Sequence, residues 1–209
     1  MVIVTLLLLM LPLLQSLKLY RMFRKNRTAK SSFVKRTQEL NYLHFLTKLS
    51  ISDKRSLEER FNHYLNYLKE SLNFTYHSIF RLDDERQVLI IRFTGYLPKW
   101  YMEELSTKVL VRVGDASVGR AVATKQPATI NAANFDPRFK SIKSLAGDTG
   151  YLSLSCYPLI GTLKIYGGFC AYSSRENRFT LHDTQFFLTC ANIYAAIIEN
   201  SLLEKHFNI

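Results

Sequence analysis

Hydrophobic and polar positions follow two periods along this chain, and those periods predict most of its elements. Val2 to Leu14 is apolar apart from Thr5 and Pro12, and Leu17, Leu19 and Tyr20 extend the run past Gln15, Ser16 and Lys18. From Glu39 to Ser50, Leu40, Leu43, Leu46 and Leu49 share one helical face. After a break near Ser52 and Asp53, Leu57, Phe61, Tyr64, Leu65, Leu68 and Leu72 form a clearer amphipathic stripe. Ser56 and Glu59 ahead of it have capping-box spacing. The period then shortens. Tyr76–Leu82 and Val88–Phe93 read as two strands joined by the polar turn Asp83-Asp84-Glu85-Arg86-Gln87.

The middle of the chain is broken by Gly95, Pro98, Gly114, Gly119 and Pro127, with short apolar runs at Val109–Val113 and Ala128–Ile130. A small helix is predicted over Ser117–Thr124, and Asn131–Ser144 is polar and irregular. Two further strands, Tyr151–Ile160 and Leu163–Tyr172, meet at a tight turn through Gly161 and Thr162. A long helix closes the chain from Leu181 to about Leu203, with Thr180 as its N-cap. Helices at both ends and strands between them predict an α+β domain. Its sheet is expected to be largely antiparallel, with the N- and C-terminal helices on one face.

Charge changes the picture at the N-terminus. The formal charge of +11 suggests a nucleic-acid binder until it is located. No acidic residue precedes Glu39, and eight of the 28 basic residues lie at or before Arg36. The remainder carries 20 basic against 17 acidic residues and is nearly neutral. As a helix, Val2 to Tyr20 reaches roughly 28 Å, close to a hydrocarbon core of about 30 Å once Lys18 snorkels and Tyr20 sits among headgroups. The run lacks a basic n-region and a small-residue cleavage site, as a cleaved signal peptide would have, and its basic flank lies on the C-terminal side. The expectation is a single-pass transmembrane anchor over residues 1–20, a basic juxtamembrane linker over 21–38, and a domain over 39–209 in the cytoplasm. Three cysteines cannot build a disulfide framework, and their odd number suits a reducing compartment.

Over about residues 39–203 the order of signals resembles the GAF domain family. Leu72 to Asp83 is similar to that family's helix end and first strand, and Val113 to Val122 to its glycine-bounded turn into a short helix. Gln126 to Asn131 and Phe135 to Phe139 resemble its pocket-edge strand and loop, and Ser155-Cys156-Tyr157-Pro158-Leu159 its strand ending in a Pro-containing motif. Phe179 to Asp183 resembles the start of its last helix, and Ala195 to Asn200 the close. The resemblance implies a sensory or regulatory module, often dimeric through its terminal helices, with a small-molecule pocket on the opposite sheet face. The implied partners are a membrane, a second copy of the chain, an unidentified small molecule and a protein partner, with no nucleic acid. The cofactor is left unknown.

Catalytic signatures fit poorly. Gly114 and Gly119 have P-loop spacing, but Arg120-Ala121 follows instead of Lys-Ser/Thr. Asn131, Phe135 and Asp136 only partly match the family's cyclic-nucleotide signature, lacking its Lys and Glu. His44, His63, His77, His182 and His206 have no metal-gathering spacing. Cys156, Cys170 and Cys190 do not reproduce the cysteine pattern of the GAF-fold branch that reduces free methionine sulfoxide. The expectation is therefore a non-enzyme. Alternatives are a ligand-free structural or assembly module and, less favoured, a thiol-dependent reductase. Alternation puts Tyr151, Ser153, Ser155 and Tyr157 on one face of their strand, and Leu152, Leu154 and Cys156 on the other. The apolar set is assigned to the terminal helices. That leaves Trp100, Asn131, Asp136, Phe139, Ser153 and Ser155 as candidate ligand contacts.

Overall fold

A computed structural model describes residues 2–72, 74–107, 110–133, 136 and 149–207. It separates into two compact units, Met1–Asn41 and Tyr42–Ile209. The first unit is helical. Helix α1 runs over Val2–Ser52, so it occupies the first unit and enters the second. The segment expected as a linker is helical throughout. It contains neither Gly nor Pro, the two residues that would interrupt a helix most readily.

In the second unit, α2 (Leu57–Leu72) is followed by strands β1 (Tyr76–Asp83) and β2 (Val88–Gly95). Helix α3 (Lys99–Thr107), strand β3 (Val111–Arg112), helix α4 (Ala116–Thr124) and strand β4 (Ala128–Ile130) come next. Strands β5 (Ser153–Ile160) and β6 (Ile165–Ser173) lead into the long helix α5 (Leu181–Phe207). The six strands form one sheet in the order β3-β2-β1-β6-β5-β4, and each neighbouring pair is antiparallel. The chain thus builds two hairpins whose first and last strands, β1 and β6, zip together at the sheet's centre.

Both predicted caps form. The Glu59 carboxylate accepts from the Ser56 backbone N–H at 3.0 Å while the Ser56 hydroxyl accepts from the Glu59 N–H at 3.3 Å. At the start of α5, Asp183 accepts from the Thr180 N–H at 2.9 Å and donates its own N–H to the Thr180 hydroxyl at 3.2 Å. Each box satisfies N–H groups that a helix start leaves unpaired. Helix α3 has no counterpart among the elements that periodicity predicts. Pro98 precedes it and accepts from Tyr101 N–H at 3.1 Å, and Tyr101 and Leu105, one turn apart, are its buried contacts.

The sheet is covered on both faces. On one, the end of α1, α2 and α5 bury Tyr42, Phe61, Leu68, Phe187 and Tyr194 against Ile79, Tyr157 and Phe169. The terminal helices therefore share a face, as expected. On the distal face, α3 and α4 bury Tyr101, Val118 and Val122 against Phe80, Leu154 and Cys156. Helix α5 is long and apolar enough over Leu181–Glu204 to cross a membrane, but half of that span is buried within the protein.

Candidate functional site

The distal face holds the compartment where the sequence resemblance places a ligand. Strands β1, β5 and β6 supply Phe80, Cys156, Cys170 and Tyr172 to its floor, and α3 and α4 roof it with Tyr101, Ser117 and Val118. Tyr151 closes one end. What remains open is about 20 Å³, enough for roughly one water molecule. Gly168 makes this close packing possible, because a Cβ there would meet the Val118 side chain at 2.5 Å.

The polar groups in the compartment are phenols and one serine. Tyr101 and Tyr151 share a hydrogen bond at 3.1 Å, and Tyr172 shares one with Ser78 at 2.9 Å. Burial pushes the Tyr101 phenol up to about 12. Tyr151 is raised well above its ordinary value by burial and then by the neighbouring phenols, and Tyr172 is raised by burial first. All three are neutral hydrogen-bonding groups at physiological pH. Ser117 is 1% exposed, and its hydroxyl has no hydrogen-bond partner among the described residues.

Cys156 and Cys170 face each other in register on β5 and β6, with Cα atoms 4.2 Å apart, and are joined as a disulfide. Three cysteines cannot build a disulfide framework, but the antiparallel register places these two positions side by side. Cys190 is a buried free thiol. Among the described residues no group of three or more His, Cys, Asp or Glu side chains could hold a metal ion.

The glycine-bounded turn serves the backbone. Gly114 has φ +94° and donates its N–H to the Gly119 carbonyl at 2.9 Å. At Gly119 a Cβ would come within 2.2 Å of the Arg112 carbonyl oxygen. This spacing closes a turn between β3 and α4.

The five described candidate contacts are not gathered into the compartment. Trp100 is 39% exposed on α3 and touches Tyr101 edge-on at 5.8 Å. The adjacent Tyr101 takes the inward position. Asn131 is exposed, and its carbonyl accepts from Asn177 N–H at 2.9 Å. Asp136 is half-buried, with its N–H donated to the Ala132 carbonyl at 3.1 Å. Phe139 lies outside the described residues.

Ser153 and Ser155 are buried on the face opposite the compartment. The Ser153 hydroxyl donates to the Arg175 carbonyl at 2.6 Å, and that of Ser155 bonds Thr129 at 2.7 Å. The face assignment of β5 is therefore inverted relative to expectation. Leu154 and Cys156 look into the distal core, while Tyr157 and Leu159 lie under the terminal helices. Tyr151 precedes the strand and escapes its alternation. The inversion has a physical reason: both faces of β5 are buried, so polarity could not tell them apart.

The family model described as GAF domain matches residues 54–199. No match was found among curated proteins. Among solved structures, the GAF domain of a phosphoenolpyruvate-protein phosphotransferase from Coxiella burnetii is 20% identical, with a TM-score of 0.69. The match covers 81% of this chain and 98% of that one. Free methionine-R-sulfoxide reductase from Neisseria meningitidis, solved with its substrate, is 15% identical with a TM-score of 0.66, covering 79% and 90%. A domain of a putative two-component sensor histidine kinase from Sinorhizobium meliloti is 18% identical with a TM-score of 0.58, covering 74% and 99%. At these identities the likeness establishes the fold alone.

Proposed function

The chain belongs to the GAF domain family, and on that premise we propose that it is a non-catalytic regulatory module tethered to a membrane by its apolar N-terminal segment. Its signal leaves through the terminal helices, to a second copy of the chain or to a protein partner. The observation that carries this reading is the filled distal compartment. With about 20 Å³ open between phenol, aliphatic and disulfide surfaces, that face works as a packed core. Regulation then falls to the opposite face, where α2 and α5 meet the sheet. The basic residues that follow the apolar run favour a cytoplasmic position for residues 39–209.

A second reading, small-molecule sensing on the distal face, is favoured by the buried and unpartnered Ser117 hydroxyl. A ligand there must lift α4 from the sheet, so it acts only by binding the opened arrangement more tightly than the closed one. Reductase activity, which belongs to the Neisseria neighbour, is a weaker third reading. The cysteines facing this compartment are bonded to each other.

The test uses the full chain with a cytosol-active reporter after Ile209, fractionated from cells and then weighed by native mass spectrometry. The expected result is an active reporter in the carbonate-washed membrane fraction and a two-copy mass. A soluble fusion, a silent reporter or a monomer without a bound protein partner overturns the reading.

A further inference from the structure

A second cavity of the second unit lies on the other side of the sheet, between β1, β2 and β6 below and the ends of α2 and α5 above. It measures about 270 Å³, near the lower limit of ordinary ligand pockets at about 300 Å³. Two β-bulges shape it. Between β1 and β2, Ile79 pairs with Phe93 and Phe80 with Ile91, so Arg92 is the extra residue. Between β5 and β6, Leu159 pairs with Gly167 and Ile160 with Ile165, which leaves Tyr166 as the extra residue. A bulge re-aims side chains that strict alternation would send elsewhere. Here Arg92 and Phe93, although adjacent in sequence, line the same cavity, with Tyr166 across from them.

Arg81 stands between the two bulges on β1, opposite Gly167, which has no side chain to cover it. The nearby charges are already committed. Lys164 is ion-paired with Asp84. The Glu199 carboxylate accepts from Thr162 N–H at 2.9 Å, Leu163 N–H at 2.7 Å and the Tyr166 hydroxyl at 3.0 Å. Arg81 and Arg92 have no acidic partner among the described residues. Beyond these guanidiniums the walls are apolar: Ile79 is buried beneath, and Leu57, Ile198 and Leu202 come from the helices.

A pair of guanidiniums over an apolar slot is complementary to an apolar chain with an anionic head. We propose that this cavity binds a long-chain carboxylate of the fatty-acid class, its head held by Arg81 and Arg92 and its chain lying under Ile198 and Leu202. Guanidinium matches a carboxylate by paired, parallel hydrogen bonds, and an anion shared between two arginines also relieves their mutual repulsion. The site is independent of the distal compartment. Because α2 and α5 form its roof, occupancy is positioned to alter their packing.

The test is photolabelling of the full chain in its native membranes with a diazirine-bearing dodecanoate, followed by peptide mapping. Label is expected on the peptides carrying Phe93, Ile198 or Leu202. Excess dodecanoate should compete, while dodecanol and inorganic phosphate should not. The double variant Arg81→Gln/Arg92→Gln should lose labelling at least tenfold with an unchanged unfolding temperature, since both side chains are exposed. Ile198→Trp, which fills the slot and keeps both charges, should lose it as well. Label confined to α1, equal competition by dodecanol, competition by phosphate alone, or undiminished labelling of the folded double variant each overturns the proposal.

Discussion

His77 should give this protein a stability that declines in mild acid. The side chain is 0% exposed on β1 and lies parallel to the Phe169 ring at 6.0 Å, with Phe74 and Phe187 also in contact. Neither ring nitrogen has a hydrogen-bond partner among the described residues. Burial, with a smaller contribution from the Lys69 charge, lowers its pKa from 6.5 to about 3. The imidazole is therefore neutral when folded at any moderate pH, whereas the unfolded chain takes up a proton below about 6.5. In that window the unfolded state binds more protons, so stability rises with pH and falls as acid is added. Between pH 7 and pH 4.5 this one group should remove about 2.5 kcal/mol. Nearly all of that is set by the unfolded imidazole, because pH 4.5 lies above the folded value.

The assay is urea unfolding of the purified chain in nonionic detergent at both pH values, followed by far-ultraviolet circular dichroism, for the native protein and for His77→Phe. The readout is the difference between the two pH dependences, so any packing error from the larger ring cancels. Carboxylates such as Asp53, which its hydrogen bonds to Arg55 hold at about 2, contribute equally to both proteins. If His77→Phe loses as much stability as the native protein on acidification, the buried neutral imidazole is not what the acid attacks.

Two other perturbations test the sheet. Gly167 has φ +143°, and a Cβ there would sit 1.9 Å from the Phe80 carbonyl oxygen. Gly167→Ala should therefore cost about 3 kcal/mol, and an unchanged melting temperature would show that the β1–β6 approach is looser than described. Cys156 and Cys170 are 14 residues apart, so reducing their bond should lower stability by about 3 kcal/mol. Alkylation of the denatured chain should modify Cys190 before reduction and all three cysteines after it. Three modified residues beforehand would mean that the pair is two packed thiols.

Whatever is encoded by near neighbours was legible in the chain. Amphipathic spacing located α2 and α5, period-two runs located both hairpins, and the Ser56–Glu59 and Thr180–Asp183 boxes form as their spacing requires. These features depend on residues three to four positions apart, or on a turn closing two adjacent strands, so local rules suffice. Helix α3 carried a weaker signal, Pro98 followed by Tyr101 and Leu105 one turn apart.

Tertiary contacts decided the rest. Alternation divided β5 into two sets, but with both faces buried only the partners across the sheet could say which set met α5 and which met α4. That is why Ser153 and Ser155 turned away from the compartment they were expected to line. The bulges at Arg92 and Tyr166 are equally invisible in the chain, because an extra residue exists only relative to the strand beside it. The pairing of Cys156 with Cys170 is likewise a property of register. Periodicity is local, whereas facing and register are relations between segments far apart in sequence, and those relations placed each cavity and each charge around it.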